Sequence, residues 1–174
     1  MESTTLIEEL EVYIMFHLLG RKNKRVRVYA PIQGSIVSLD EIVDPVFSQR
    51  LVGEGIAIKS NSGTVYAPVD GTIQWAMRSK HAISIQTNHN AVILIHIGLQ
   101  TDSSKSESYK PLVPNGTNVK AGDEILHFSP NEYEGQNNHV MIPVILLDSQ
   151  FYQMSKVKTS GSAVQKKTIL FEFK

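Results

Sequence analysis

An all-β fold, a sandwich or a barrel, is predicted by three features of the sequence. From Val26 onward, short runs rich in β-branched and aromatic residues alternate with Pro, Gly, Asn and Asp at close spacing. No long amphipathic helical pattern separates these runs, which argues against an α/β arrangement. A seven-residue stretch also occurs twice. Ala30-Pro31-Ile32-Gln33-Gly34-Ser35-Ile36 matches Ala67-Pro68-Val69-Asp70-Gly71-Thr72-Ile73, an offset of 37 (67 minus 30). In each copy Pro opens an extended segment, Gly supplies a turn or bulge, and a β-branched residue resumes the strand.

Residues 1–25 read as an N-terminal extension. Within them residues 4–19 suit one short helix, with Leu6, Leu10 and Ile14 near one stripe. Met15 opens a sensible start by itself, so residues 1–14 are expected to carry little functional weight. Five basic residues between Arg21 and Arg27 then form a polar linker. A lone basic cluster without interleaved aromatics is weak support for a nucleic-acid arm, and a solvated linker is the expectation. At most, residues 1–27 would touch a membrane peripherally.

Residues 26–174 read as one domain. Its expected strands lie in VRVYAPIQGSIVSL, GIAIK, TVYAP, DGTIQW, HAISIQT, AVILIHIG, EILHF, VMIPVILL and TILFEF. Only Asp40–Gln49 and Asp148–Lys156 have the texture of a helical turn or two.

The 174 residues are 41% hydrophobic and 20% charged, ordinary for a globular protein. Seventeen basic residues balance seventeen acidic ones, so no global field recruits nucleic acid or anionic lipid. The absence of Cys removes thiolate chemistry and suits a reducing compartment. No apolar run approaches the ~20 residues that span a bilayer, and the acidic N-terminus is unlike a signal peptide. A cytoplasmic protein is expected.

His81 and His96 carry the chemistry. They flank Asn88-His89-Asn90 in SKHAISIQTNHNAVILIHIGLQT, which reads as a β-hairpin. A two-residue turn at Asn88-His89 sets the two histidines directly opposite each other, on one face with Ile83, Ile85, Val92 and Leu94. An apolar surface and a neighbouring imidazole both disfavour the charged form, leaving the lone pair that a nucleophile or metal ligand needs. Two packed histidines with satisfied hydrogen bonds are the plainer reading of the same spacing. The other histidines, His17, His89, His127 and His139, read as solvated.

Pro-Asn-Gly-Thr-Asn-Val-Lys-Ala-Gly-Asp-Glu-Ile (114–125) resembles the turn pattern of lipoyl- and biotinyl-type domains, but the Met-Lys carrier turn is missing. A larger set of motifs resembles the glucose-family enzyme IIA of the bacterial sugar phosphotransferase system. It comprises APIQGSIVSLDEIVDPVF (30–47), VGEGIAIK (52–59), YAPVDGTI (66–73), the His81/His96 hairpin, VPNGTNVKAGDEIL (113–126), and the MIPVIL and SGSAV segments. The match runs in order over roughly residues 28–174.

The resemblance implies a compact β-sandwich, a barrel-sandwich hybrid with internal duplication (a duplicated hybrid motif). It also implies a phosphocarrier: His96 accepts a phosphoryl group from phospho-HPr and passes it to a cysteine of a sugar-specific IIB domain, with His81 as its partner. Ser79, where the family usually has Thr, would orient the acceptor imidazole and fix its tautomer; a water-bonded edge hydroxyl is the alternative. Val46 and Phe47 map onto an apolar docking rim, with Phe47 as an exposed anchor, and Asp44 onto one of its acids. The family's HxGxDT reads His96-Ile97-Gly98-Leu99-Gln100-Thr101 here, so Gln100 lacks the second acid, which Asp102 partly replaces. The same resemblance allows a regulatory module that docks transporters or enzymes. It implies a monomer with no cofactor, beyond incidental zinc at His81/His96. A zinc peptidase is disfavoured because Leu94 stands where a His-x-His pair would need its first histidine.

Overall fold

The computed structural model of the chain describes residues 25–75, 80–98, 108–130 and 139–174. The expected N-terminal helix, Ser79, Gln100 and Asp102 lie outside the described residues.

The observed architecture is all-β. Eight strands form one antiparallel sheet in the order β13 (Gly161–Ala163), β2 (Gly34–Val37), β3 (Gly53–Ser60), β11 (Val140–Leu147), β7 (Val92–His96), β6 (Ala82–Gln86), β5 (Gly71–Trp75), β9 (Asn118–Val119). Two three-stranded antiparallel sheets accompany it. One orders β1 (Val26–Tyr29), β14 (Ile169–Phe173) and β12 (Met154–Ser155); the other orders β4 (Thr64–Tyr66), β10 (Glu124–Phe128) and β8 (Tyr109–Pro111). The expected helical turns are a 3-10 turn at Leu39–Glu41, one helical turn at Pro45–Ser48 and a 3-10 turn at Ser149–Phe151.

The sequence repeat is a structural repeat. Tyr29 N–H donates to the Pro68 carbonyl, and Tyr66 N–H donates to the Pro31 carbonyl, so each copy reaches across to the other. Ala30 and Ala67 likewise each donate at 2.8 Å, to the Thr168 and Asp123 carbonyls. The order of the large sheet is then palindromic: β2 and β3 on one side correspond to β5 and β6 on the other. Gly34 and Gly71 open β2 and β5 in matching environments. A Cβ on either would sit 2.3 Å from a carbonyl oxygen of the neighbouring strand, Lys59 or Gln86, and 2.8 Å from an isoleucine methyl, Ile58 or Ile85. Backbones at that separation leave room only for hydrogen.

The main core lies between the sheets and gathers Val28, Ile32, Ile58, Ile73, Ile83, Ile85, Ile93, Ile95, Leu170 and Phe171, all buried. Full burial of each such side chain contributes on the order of 1.5–3 kcal/mol before conformational entropy is counted. A second, smaller cluster lies apart from it: Leu39, Ile42, Phe47, Ala57 and Ile145, with Val37, Leu94, Met141 and Leu147 packed against it. Alternation along β7 and β11 assigns these side chains to the other face of the large sheet, where the short helical turns cover them. This second cluster is the floor of the site.

The expected solvated linker ends sooner than the sequence suggests. Arg27 lies in β1, and both Arg25 and Arg27 approach the Glu172 carboxylate.

Candidate active site

The β6–β7 hairpin places His96, but in a different register from the sequence expectation. Ala82, not His81, faces His96, and Ile83 faces Ile95. The cause is the turn. Thr87 and Ala91 close the loop with a 2.8 Å hydrogen bond, Asn90 N–H donates to the Thr87 carbonyl, and Asn90 has φ 63°. Three residues therefore form the loop, a type I turn followed by a left-handed residue, where two were expected. Asn tolerates that conformation better than most residues, which explains its place there.

A one-residue shift exchanges the faces of a strand. Ile83, Ile85, Ile93 and Ile95 therefore fill the main core, and His96 shares the other face with Leu94. His81 lies just before β6, and the left-handed Lys80 (φ 54°) interrupts the extended chain ahead of it. The two imidazoles still meet edge to face, with centroids 4.6 Å apart. The histidines come together as expected, through a different local geometry.

His96 is held on three sides. Its Nδ1 lies 2.6 Å from the carbonyl oxygen of Gly98, two residues on, where φ 75° turns the chain back toward the ring. Gly suits that backbone best. The Phe47 ring lies 5.2 Å from the imidazole, tilted by 58°. His81 forms the third side and has Tyr109 beyond it at 6.2 Å, with Phe128 stacked behind Tyr109 at 6.5 Å.

Phe47 is not the exposed anchor expected from its position. It is 4% exposed and belongs to the apolar floor. The apolar rim is instead Val43, Val46 and Leu51, at 84%, 40% and 67% exposure, around the helical turn. Val46 was expected; Val43 and Leu51 were missed, although DEIVDPVFSQRLV carries them at helical-turn spacing. Asp44 caps that turn, accepting a 2.9 Å hydrogen bond from Val46 N–H. Gly98 was missed as a positioning group; its carbonyl holds the His96 ring.

Burial lowers the pKa of His96 below its ordinary 6.5, and repulsion by His81 lowers it further. The Gly98 hydrogen bond and the negative charge of Asp44 oppose this without reversing it. His96 is consequently a neutral imidazole near neutral pH. The same displacement links to stability. An unfolded chain takes up a proton near pH 6.5 that the folded site resists, so this contribution is intact above that pH and is lost as pH falls toward the lower folded value. An NMR titration should place the His96 midpoint below 6.5, and His81→Gln should move it upward by removing the repulsion. An unchanged midpoint in that variant would disconnect the two rings electrostatically.

A neutral imidazole with one nitrogen fixed by a carbonyl, beside a second imidazole on an apolar floor, defines a site for nucleophilic group transfer. The sequence comparisons specify the class. The family described as "phosphoenolpyruvate-dependent sugar phosphotransferase system, EIIA 1" matches residues 26–152. A glucose-specific EIIA component of Oceanobacillus iheyensis is 39% identical over 132 residues, 76% of this chain and 80% of that protein. The N-acetylglucosamine-specific EIICBA component of Klebsiella pneumoniae is 34% identical, over 83% of this chain and 22% of that longer protein. Among solved structures, glucose permease IIA from Mycoplasma capricolum superposes with a TM-score of 0.75 at 31% identity, covering 86% of this chain and 96% of that one. The chain belongs to the EIIA 1 family of the sugar phosphotransferase system. It is a phosphocarrier component of that system.

Proposed function

We propose that His96 is the phosphoryl acceptor, loaded by the phosphohistidine of HPr and unloaded by the cysteine of a sugar-specific IIB domain. The contact between His96 Nδ1 and Gly98 O carries this reading. A carbonyl can only accept, so Nδ1 holds the proton and Nε2 holds the lone pair. In the loading step Nε2 attacks phosphorus in line. The Nε2–P bond forms as the N–P bond to HPr breaks, and that electron pair stays on the HPr imidazole. In the unloading step the IIB thiolate attacks phosphorus, the Nε2–P bond breaks, and the pair returns to Nε2.

The ring gains positive character while it carries the phosphoryl group, and the Gly98 carbonyl stabilises it. Burial opposes the same charge, which keeps the N–P bond ready for onward transfer. His81 is in edge contact with His96, and in this reading it would donate a hydrogen bond to the phosphoryl oxygens. Little covalent work is required of such a site beyond positioning and charge stabilisation. A relay with phosphoenolpyruvate, enzyme I, HPr and several IIB domains tests the assignment, reading acid-labile label on this chain and its loss to each IIB.

Regulated docking is the second reading, and Gln100 favours it. At this position the family's acid is replaced by a neutral amide, so HPr would be met less strongly or another partner preferred. Rim charges act mainly on association rate, and one exposed pair contributes only about 0.2–1 kcal/mol. Gln100→Asp should therefore speed loading from HPr several-fold at low salt, with the gain shrinking as ionic strength rises. An unchanged salt slope in stopped-flow transfer would place the second acid elsewhere, Asp102 being the neighbour to test.

In this reading the protein works in the cytoplasm, where such partners would meet it. No helix among the described residues is long and apolar enough to cross a membrane. Zinc stays incidental in this reading. Among the described residues no three His, Cys, Asp or Glu side chains gather as a metal site, and His81 with His96 supplies fewer ligands than catalytic zinc takes.

A further inference from the structure

At the far end of the β6–β7 hairpin from the histidines lies a cleft of about 670 Å³, lined by Arg25, Arg27, Tyr29, His89, Lys156 and Glu172 among others. Its floor is electrostatically unusual. Glu172 lies in β14, between β1 and β12, and pairs across to Arg27 on one side and Ser155 on the other. Its side chain is 3% exposed, yet three cations converge on it: Lys156 Nζ at 3.2 Å, Arg27 Nε at 3.4 Å and Arg25 Nη1 at 3.8 Å. One cation would neutralise one buried carboxylate. Two positive charges remain in excess, on side chains that keep half or more of their surface open to solvent. Asp70, the other acid of the lining, is already satisfied by Ala121 N–H at 2.8 Å and Lys120 Nζ at 3.0 Å.

The geometry points to a second binding site in this cleft, for a small molecule carrying a phosphate group. Glu172 acts as a buried hub that gathers two guanidinium groups and an ammonium, and so offsets the mutual repulsion that would spread them apart. Guanidinium forks match phosphate oxygens, and the ammonium adds a point charge. The volume suits a metabolite-sized ligand, and the Tyr29 and His89 side chains in the wall supply flat surfaces for its body. This site is separate from the phosphoryl-transfer histidines and does not depend on their assignment.

Inorganic pyrophosphate is the probe, titrated into the full chain at low, constant ionic strength and followed by amide NMR. Saturable shifts at residues 87–89 and 155–157 are expected. Lys156→Gln and Arg27→Gln should each weaken binding by about fivefold, the scale of one solvent-exposed charged contact. Phosphoryl loading from HPr should be unchanged in both variants. Pelleting with vesicles of equal phosphatidylcholine and phosphatidylglycerol, reduced in Lys156→Gln and competed by pyrophosphate, would assign the phosphate to a lipid headgroup. Saturable binding without such pelleting would assign it to a soluble metabolite. No saturable shift, or equal affinity in both variants and the parent chain, would overturn the proposal and leave Glu172 as a purely structural ion cluster.

Discussion

His96→Ala should receive no acid-labile phosphoryl label from phospho-HPr while keeping its fold. The expected loss is at least roughly a thousandfold, the scale on which removal of a covalent nucleophile acts. The imidazole is only partly buried and sits on the outer apolar cluster rather than in the main core, so the thermal midpoint should move little. His81 should separate from it by role. His81→Gln keeps a hydrogen-bond donor and should still be loaded; His81→Ala should impair transfer to IIB more than loading. Normal labelling of His96→Ala would move the acceptor elsewhere and remove the basis for the Gly98 argument.

Gly71→Ala should strongly destabilise the fold. The added methyl would lie 2.3 Å from the Gln86 carbonyl oxygen and 2.9 Å from its carbon, so β5 and β6 must part. That movement disturbs the strand entering the His81 segment as well as the core, and a cost of about 3 kcal/mol or more is expected. Gly116→Ala is the control. It has φ 81° with nothing near its Cβ position, so only backbone strain of about 1–2 kcal/mol applies. Equal denaturation midpoints for the two variants would show that strand separation is not what glycine protects at position 71.

The strands and the duplication were legible because they are written in local chemistry. Alternation, Pro and Gly mark the elements, and the two Ala-Pro-x-x-Gly stretches mark the copies. The approach of His81 to His96 was legible from the hairpin, but its register was not. Asn88-His89-Asn90 is compatible with a two-residue or a three-residue loop, and only the left-handed Asn90 decides between them. Phe47 was misplaced for a different reason. A single strand-to-helix segment does not show which of its apolar residues turn down onto the sheet, and the floor that receives Phe47 comes from β3, β7 and β11. The Glu172 cluster was invisible because it joins Arg25 and Arg27 to a residue at the other end of the chain.

The palindromic large sheet bears on how such a chain can originate. A lone copy of the repeated unit would leave its Ala-Pro crossing without the acceptor that the other copy provides. Two identical half-length chains, arranged about a twofold axis, would satisfy the same hydrogen bonds. Joined in one polypeptide, the halves no longer have to stay alike, and one can specialise while the other serves as scaffold. His96 marks the specialised half: its strand β7 lies beside β11 at the centre of the sheet, and β11, the position related to it by the palindrome, contains no histidine. Fusion thereby converts a symmetric assembly, obliged to carry two equivalent faces, into a chain with one chemically active face and one free to acquire other uses.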